Sequence, residues 1–200
     1  MDARAAWTRK YAREPAPWRG GGDAAFAARH LASAPPGWVL DLGAGGGKTH
    51  RALAAALPDR RLLALDWVAV SLGGAREAAV GDATRPPLRA GACAGVVASH
   101  LLGALDADGR ARAASAIVDL LAPKGIAVVV DFARGDLRDG AGRRVEDATY
   151  ERDGLLAHYF APGEVERLLP GLSPVEVVEA EAPTRFAGPR RRVLAAFHRV

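Results

Sequence analysis

Residues 39–49 read VLDLGAGGGKT and decide the fold of this chain. A short apolar run ends in Asp41, and glycines follow at alternate positions, Gly43, Gly45 and Gly47. An apolar strand that runs into a glycine-rich loop and then into a helix is typical of α/β folds that bind nucleotide-like ligands. The stretch therefore predicts an α/β protein, and the spacing of its glycines indicates which ligand the loop suits.

The glycine spacing disfavours two familiar loops. Gly47-Lys48-Thr49 ends like a Walker A motif, but that motif needs a glycine five residues before its Gly-Lys pair, where this chain has Leu42. A dinucleotide fingerprint, GxGxxG, would place its third glycine at Lys48. A nucleoside triphosphatase is therefore disfavoured, and a nicotinamide-binding oxidoreductase would have only a degenerate fingerprint.

Composition sets further limits on the function. The 200 residues carry a formal net charge of +4, and Cys93 is the single cysteine, which excludes an internal disulfide and a multi-cysteine zinc site. The five histidines are scattered without metal-ligand spacing, so we predict no metal. The charged start lacks the apolar segment of a signal peptide, and no apolar run reaches the roughly 18 residues of a membrane span. We predict a cytoplasmic protein without a membrane partner.

The rest of the chain alternates between strand and helix patterns. Apolar runs at 61–66, 77–83, 95–102 and 126–133 predict strands, and 23–33, 48–57 and 106–125 predict helices. A further helix is expected over 162–171, after a charged surface excursion at 134–149. The last two apolar runs, 174–182 and 191–200, leave no room for a helix between them and should pair as an antiparallel hairpin.

Together these segments resemble the class I S-adenosylmethionine (SAM)-dependent methyltransferases. VLDLGAGGGKT is similar to motif I of that family, in which the loop lies under the methionine part of the cofactor. Glycine lets the backbone approach a ligand closely and adopt positive φ. Asp41 would face the positively charged amino group of SAM. A carboxylate attracts such a cationic group, whereas it would repel the phosphate of a nucleotide.

Four more segments match the family in the same order. Asp66 ends the second strand, where the family has a carboxylate that binds the ribose hydroxyls, and GDA at 81–83 falls where the family contacts adenine. AGVVASHLL at 94–102 resembles the family's strand-four segment that faces the substrate, and LAPKGIAVVVDF resembles the family's helix-turn-strand. The resemblance implies cofactor contacts from Asp41, Gly43, Ala44, Gly45, Gly47, Asp66, Trp67, Asp82, Ala83 and Ser99. Asp66 should lie in an open cleft, and Asp82 could instead make an ordinary turn.

The resemblance also implies the architecture. The expected fold is a Rossmann-like, doubly wound sheet of seven strands in the order 3-2-1-4-5-7-6, with strand 7 antiparallel. The match is good over residues 37–132 and rests on pattern alone beyond them. We predict an N-terminal lid or cap segment at 1–22 and a methyltransferase domain at 23–200. Trp7, Tyr11 and Trp18 of the first segment could cover the cofactor or simply pack against the domain.

The acceptor side is less well defined by sequence. The family has no universal catalytic residue, and the Asn-Pro-Pro-Tyr motif of amide methylators is replaced here by Ala98-Ser99-His100-Leu101. His100 could act as a base or orient the acceptor, and HYF at 158–160 resembles the substrate-covering segment of tellurite-resistance-type and related small-molecule methyltransferases. We therefore predict that His100 and Tyr159 contact the acceptor, although both residues could equally be core.

Several functions remain open at this stage. A small-molecule acceptor is the first prediction. Residues 81–97 resemble activator-dependent tRNA methyltransferases, so tRNA or protein methylation with a small zinc-binding activator protein is a second hypothesis. Two more hypotheses are a nucleotide-binding oxidoreductase, in which Asp66 would bind the ribose of NAD, and a catalytically inactive SAM-binding subunit.

Overall fold

The computed structural model describes residues 3–14, 22–73, 75–184 and 188–200. The helices among these residues are α1 (Ala3–Arg13), α2 (Gly22–Leu31), α3 (Lys48–Ala56), α4 (Ala107–Leu120) and α5 (Glu164–Leu168). The strands are β1 (Trp38–Leu42), β2 (Arg61–Asp66), β3 (Ala78–Val80), β4 (Cys93–Ser99), β5 (Leu121–Phe132), β6 (Arg143–Glu146), β7 (Thr149–Arg152), β8 (Leu155–His158), β9 (Ser173–Ala182) and β10 (Arg190–His198).

The main sheet has seven strands in the order β3-β2-β1-β4-β5-β10-β9. Strands β1 to β5 pair in parallel, and β10 is antiparallel to both β5 and β9. Because β9 and β10 are the sixth and seventh strands of this sheet, the predicted fold class and strand order are confirmed. The central strands are continuous apolar runs because helices cover both of their faces.

Two apolar layers flank the sheet. On one face, α4 and α5 pack over β4 and β5 through fully buried side chains that include Ile117, Val96 and Val129. On the other face, Leu31 of α2 and Leu53 of α3 are fully buried against Val39 and its neighbours. Both layers end at the carboxyl edge of the parallel strands, and this edge is left for a ligand.

The predicted C-terminal hairpin is present. Ala195 of β10 lies opposite Val177 of β9, and the two strands pair from Arg190 to His198. Strand β9 forms the edge of the sheet and places glutamates among its valines. Charged side chains on an edge strand discourage pairing with another chain.

The surface excursion predicted at 134–149 is more ordered than expected. Its second half contains β6, which joins β7 and β8 in a separate three-stranded antiparallel sheet. Strand β6 is only four residues long, RRVE, and is largely exposed, so no apolar alternation marks it in the sequence. The small sheet lies beside the carboxyl edge of the main sheet and becomes one wall of the candidate site.

Candidate functional site

The carboxyl ends of β1, β2, β4 and β5 border two connected spaces. The larger cavity has a volume of about 470 Å³ and the smaller pocket about 60 Å³. The glycine loop forms the floor of the larger cavity, and β7 and β8 form its opposite wall. Trp7 and Tyr11 of α1 line both spaces and stand between them.

The glycine loop adopts the conformation that its sequence predicts. Gly43, Gly45 and Gly47 have φ of 73°, 50° and 70°, in the left-handed region that favours glycine. A Cβ atom on Gly45 would collide with the Tyr11 hydroxyl oxygen, and one on Gly43 would lie 2.7 Å from Leu101 Cδ1. Gly43, Ala44 and Gly45 line the larger cavity, whereas Gly47, which was also predicted to bind the cofactor, lines neither space.

Asp41 ends β1 as a buried acid without a full set of partners. It is 1% exposed, and its Oδ2 has no hydrogen-bond partner. Burial and the nearby Asp66 raise the pKa of Asp41 to about 7, against the backbone N–H of His50, which lowers it. A buried carboxylate oxygen without a donor fits a cationic ligand group, because such a group would supply the missing counter-charge.

Asp66 lies at the end of β2 but does not stand in an open cleft. It is buried and accepts hydrogen bonds from the backbone N–H of Gly45 at 2.9 Å and of Val68 at 2.8 Å. Burial raises its pKa, and these hydrogen bonds oppose that rise. The sequence-based expectation of an open position is therefore wrong: Asp66 lines the smaller pocket and also ties the glycine loop to β2.

The other residues predicted to bind the cofactor fall around the same two spaces. Trp67, Asp82 and Ala83 line the smaller pocket, and Ser99 lines the larger cavity. Asp82 Oδ1 accepts from both the backbone N–H and the hydroxyl of Thr84, each at 2.8 Å. Asp82 thus stabilises an ordinary turn, which was the alternative to cofactor binding, and it also borders the smaller pocket.

The N-terminal helix covers part of the site. Trp7 and Tyr11 stack with ring centroids 5.6 Å apart. Burial raises the pKa of the Tyr11 hydroxyl, and the charges of Asp66 and Asp41 raise it further. Trp18, the third aromatic residue of the predicted lid, lies outside the described residues. The division into a lid at 1–22 and a domain at 23–200 stays a prediction.

His100 lies just past β4 with its ring between two carboxylates. Its Nε2 is 3.3 Å from Asp23 Oδ2, and its Nδ1 is 3.8 Å from Asp131 Oδ1, too far for a hydrogen bond. Burial lowers the pKa of His100, but Asp131 and Asp23 outweigh burial and raise it to about 9. At neutral pH the ring is therefore an imidazolium. Of the two predicted roles, base and orienter, the second suits this geometry, because an imidazolium has no lone pair to accept a proton.

Tyr159 is both a core residue and a residue of the cavity wall, the two roles that the sequence left open. It is 3% exposed and packs against Phe132 and Tyr150, and it also lines the larger cavity. Burial first, and then Asp136, raise the pKa of Tyr159 to about 12. Its hydroxyl is therefore a neutral phenol. Its neighbour His158 bonds instead to Thr149 Oγ1 at 2.8 Å and Glu164 Oε1 at 2.7 Å, and so supports the small sheet.

The sequence did not reveal the residues that set the charge around His100. Asp23 and Asp131 are not among the residues that the sequence predicted to form the site. Asp23 and His100 are 77 positions apart, so no local pattern could have paired them. Tyr150 of β7 was missed because the strand that carries it was not expected.

The described part of the chain holds no group of three or more His, Cys, Asp or Glu residues suited to a metal ion. Within the same described ranges, none of the helices combines the length and apolarity needed to cross a membrane.

Comparison with known proteins agrees with this geometry. A family of sequences described as "Methyltransferase domain" matches residues 39–125, which run from β1 to the start of β5 and include most of the candidate cofactor residues. No curated protein matches the chain by sequence.

Solved structures show the same fold. A SAM-dependent methyltransferase from Anabaena variabilis has a TM-score of 0.74 at 14% identity, covering 100% of this chain and 96% of that chain. The 1,6-didemethyltoxoflavin-N1-methyltransferase of Burkholderia thailandensis, solved with 1,6-didemethyltoxoflavin and S-adenosylhomocysteine, has a TM-score of 0.72 at 19% identity and covers 98% and 87%. TehB from Haemophilus influenzae has a TM-score of 0.66 at 14% identity, with 97% and 67% covered. At these identities the likeness is one of fold.

Proposed function

We propose that the chain is a class I SAM-dependent methyltransferase and that it transfers the sulfonium methyl group of SAM to a small-molecule acceptor. The observation that carries the proposal is the buried, unpartnered Oδ2 of Asp41 beside the glycine loop. An α-ammonium group placed above Gly43 and Gly45 would meet that oxygen. Neither a nucleoside triphosphate nor a pyrophosphate would, since both are anions.

The two spaces divide the contacts to the cofactor. Asp66, Trp67, Asp82 and Ala83 would hold the adenosine part in the smaller pocket. Gly43, Ala44, Gly45 and Ser99, which line the larger cavity, would hold the methionine part, with the carboxyl group of Asp41 buried beside the loop. SAM supplies an activated methyl group for in-line displacement, so the protein mainly aligns the two reactants and excludes water.

The size of the larger cavity suits the methionine part of SAM together with a small-molecule acceptor. A volume of about 470 Å³ lies within the roughly 300–1,000 Å³ common for small-molecule sites. The wall of the larger cavity combines aromatic rings with polar and charged side chains, among them His100 and the Tyr159 hydroxyl, which we propose orient the acceptor. The relative from Burkholderia, which was solved with a small heterocycle, is consistent with this assignment.

The competing functions fit the structure less well. Residues 81–97, which resemble tRNA methyltransferases, place Asp82 and Ala83 at the smaller pocket, on the cofactor side rather than the acceptor side. An oxidoreductase is disfavoured by the antiparallel β10. A cytoplasmic location stays a prediction from sequence.

Calorimetric titration tests the proposed function. We expect binding of SAM and of its demethylated product, S-adenosylhomocysteine (SAH), and no competition by ATP or NAD. Methyl transfer from radiolabelled SAM to a panel of small metabolites and to tRNA would then identify the acceptor class. Binding of NAD or ATP without binding of SAM or SAH would refute the proposal.

Asp66→Ala should weaken SAM binding by about 1.5–3 kcal/mol, the usual scale for losing hydrogen bonds to a charged group. It should also lower the stability of the ligand-free chain, because the N–H groups of Gly45 and Val68 lose their acceptor. Asp66→Asn keeps one acceptor oxygen and is the matched control, with a smaller loss of stability. Unchanged SAM affinity in Asp66→Ala would show that Asp66 is only structural.

A further inference from the structure

We propose that the methyl acceptor binds as an anion, held against a cation-rich cluster around His100; this rests on the proposed function. The His100 cluster consists of His100, Asp23, Asp131, Lys48 and Arg192. Asp23, in the first turn of α2, contacts His100 Nε2 through Oδ2 and is ion-paired with Arg192 through Oδ1. Lys48, at the start of α3, lines the same cavity and interacts electrostatically with Asp23.

The charges of the His100 cluster do not cancel. Three cationic side chains, on β10, α3 and the loop after β4, surround two carboxylates, on α2 and β5. Asp131 is already engaged by backbone, with Oδ2 accepting from Gly103 N–H at 2.8 Å and Oδ1 from Phe132 N–H at 3.0 Å. His100 Nδ1 and Arg192 Nε are buried and have no hydrogen-bond partner.

An anion in the cavity would balance this excess. Unpaired charge in a partly buried site costs free energy, and an opposite charge within a few ångströms recovers part of it. The protonated state of His100 persists at neutral pH because the two carboxylates hold its pKa at about 9. Arg192 and Lys48 interact with the same carboxylate, that of Asp23, and together with protonated His100 they give three positive charges against two negative ones.

The surroundings of the His100 cluster suit a flat organic anion. The His100 ring stacks on Phe132 with centroids 4.4 Å apart. Tyr150, Leu155 and Leu156 complete an apolar wall of the same cavity. An acceptor with an aromatic or conjugated body and an acidic group would place its body on this wall and its charge near His100.

The chemistry balances without a proton acceptor on the protein. The acceptor binds as its conjugate base, and a lone pair of that base forms the new bond to the methyl carbon. The electrons of the carbon–sulfur bond return to sulfur, so SAH leaves as a neutral thioether and the negative charge of the acceptor is cancelled. An already protonated His100 and a neutral Tyr159 are consistent with a reaction in which neither residue takes a proton.

The test uses benzoate and benzamide, which share shape and differ in charge, titrated into protein saturated with SAH. At pH 7 benzoate should bind at least about tenfold more tightly, as expected for a charge-assisted contact. His100→Asn should reduce that preference to within about threefold. Asparagine is chosen because His100 has φ of 55°, which asparagine tolerates.

Two further variants complete the design. Lys48→Met removes a cation of the His100 cluster at the first residue of α3, and it should lower the benzoate preference even if His100→Asn fails to fold. Arg29→Met is the matched control, because Arg29 lies on the exposed face of α2 and pairs with Glu176 of β9. The preference for benzoate should persist in this variant. Raising the pH from 7 to 10 should weaken the preference as His100 loses its proton.

Three results would overturn the proposal. These are equal or tighter binding of benzamide, no binding of benzoate at millimolar concentration, and displacement of benzoate by SAH, which would assign the anion contact to the cofactor's own carboxylate. A failure of the proposed function is separate. In that case SAH itself would not bind, and the preference for benzoate could still be measured on the ligand-free protein.

Discussion

Asp41→Asn is expected to make the ligand-free chain more stable above neutral pH and to weaken its affinity for SAM at least about tenfold. The stabilisation arises because the carboxylate is buried beside Asp66 and one of its oxygens has no partner. An amide of the same shape removes the buried charge, and this removal should raise the free energy of unfolding by about 1–3 kcal/mol. The affinity falls because the neutral side chain no longer attracts the ammonium group. Stability and function therefore oppose each other at this residue.

The pH dependence of the unfolding free energy shows whether the buried charge of Asp41 causes the stabilisation. Burial raises the folded pKa of Asp41 from 3.8 to about 7, so between these values the folded chain holds a proton that the unfolded chain releases. Over this window the stability of the wild-type chain falls as the pH rises. Urea denaturation should therefore show a larger gain from Asp41→Asn at pH 8 than at pH 5. Equal gains at both pH values, or a loss at pH 8, would contradict this account.

Binding should show the complementary behaviour. A bound ammonium group favours ionised Asp41, so SAM binding near pH 6 should release a proton, and affinity should rise from pH 6 to pH 8. Calorimetry in buffers of different ionisation enthalpy measures that proton directly. Asp108→Asn is the matched control, because Asp108 is exposed on α4, pairs with Arg112 and lines neither cavity. In Asp41→Asn the release should vanish.

Particular residues show how far the sequence could predict this molecule. Residues 39–47 indicated the strand, the loop and the positive φ of its glycines, because each of these depends on local chemistry. The order of the main sheet followed from the resemblance, and the hairpin of β9 and β10 from the short link between them. Asp66 was correctly expected at a strand end. Its hydrogen bond to Gly45, 21 residues away, depends on how the loop folds back and has no sequence signal.

The acceptor wall could not be predicted for two physical reasons. Strands β6, β7 and β8 have four residues each and too few apolar positions for a period to emerge. The charge state of His100 depends on Asp23 and Asp131, which reach it from other elements. Tertiary contacts, rather than local propensity, thus decide the chemistry of this half of the site.

Arg110 makes one of the contacts that attach the small sheet to the main fold. It is buried on α4, where its guanidinium donates to Leu105 O at 2.6 Å and to Glu146 Oε2 at 2.9 Å. Glu146, on β6, also accepts from the backbone N–H of Ala107 at 3.0 Å. One ion pair therefore joins the start of α4 to the sheet that carries Tyr150.

Arg110→Met should cost about 2–4 kcal/mol of unfolding free energy, somewhat below the value for a fully buried pair, because Glu146 keeps some contact with solvent. Arg112→Met on the same helix is the matched control. Arg112 is paired with the exposed Asp108, so its loss should cost at most about 0.5 kcal/mol. Similar losses in both variants, measured by urea denaturation, would show that the Arg110 contact does not hold the small sheet.

The same variant separates the two halves of the site. If β6, β7 and β8 serve the acceptor, Arg110→Met should weaken benzoate binding to the SAH-saturated protein by about tenfold, because Tyr150 and Leu155 lose their fixed positions. SAH affinity should stay within a few fold, since Asp41, Asp66 and the glycine loop are held by β1 and β2. Both affinities are measured under conditions in which the variant is still folded, so that a loss of stability does not count as a loss of binding. Equal losses for benzoate and SAH would mean that the small sheet supports the whole cleft, and the division into a cofactor half and an acceptor half would have to be abandoned.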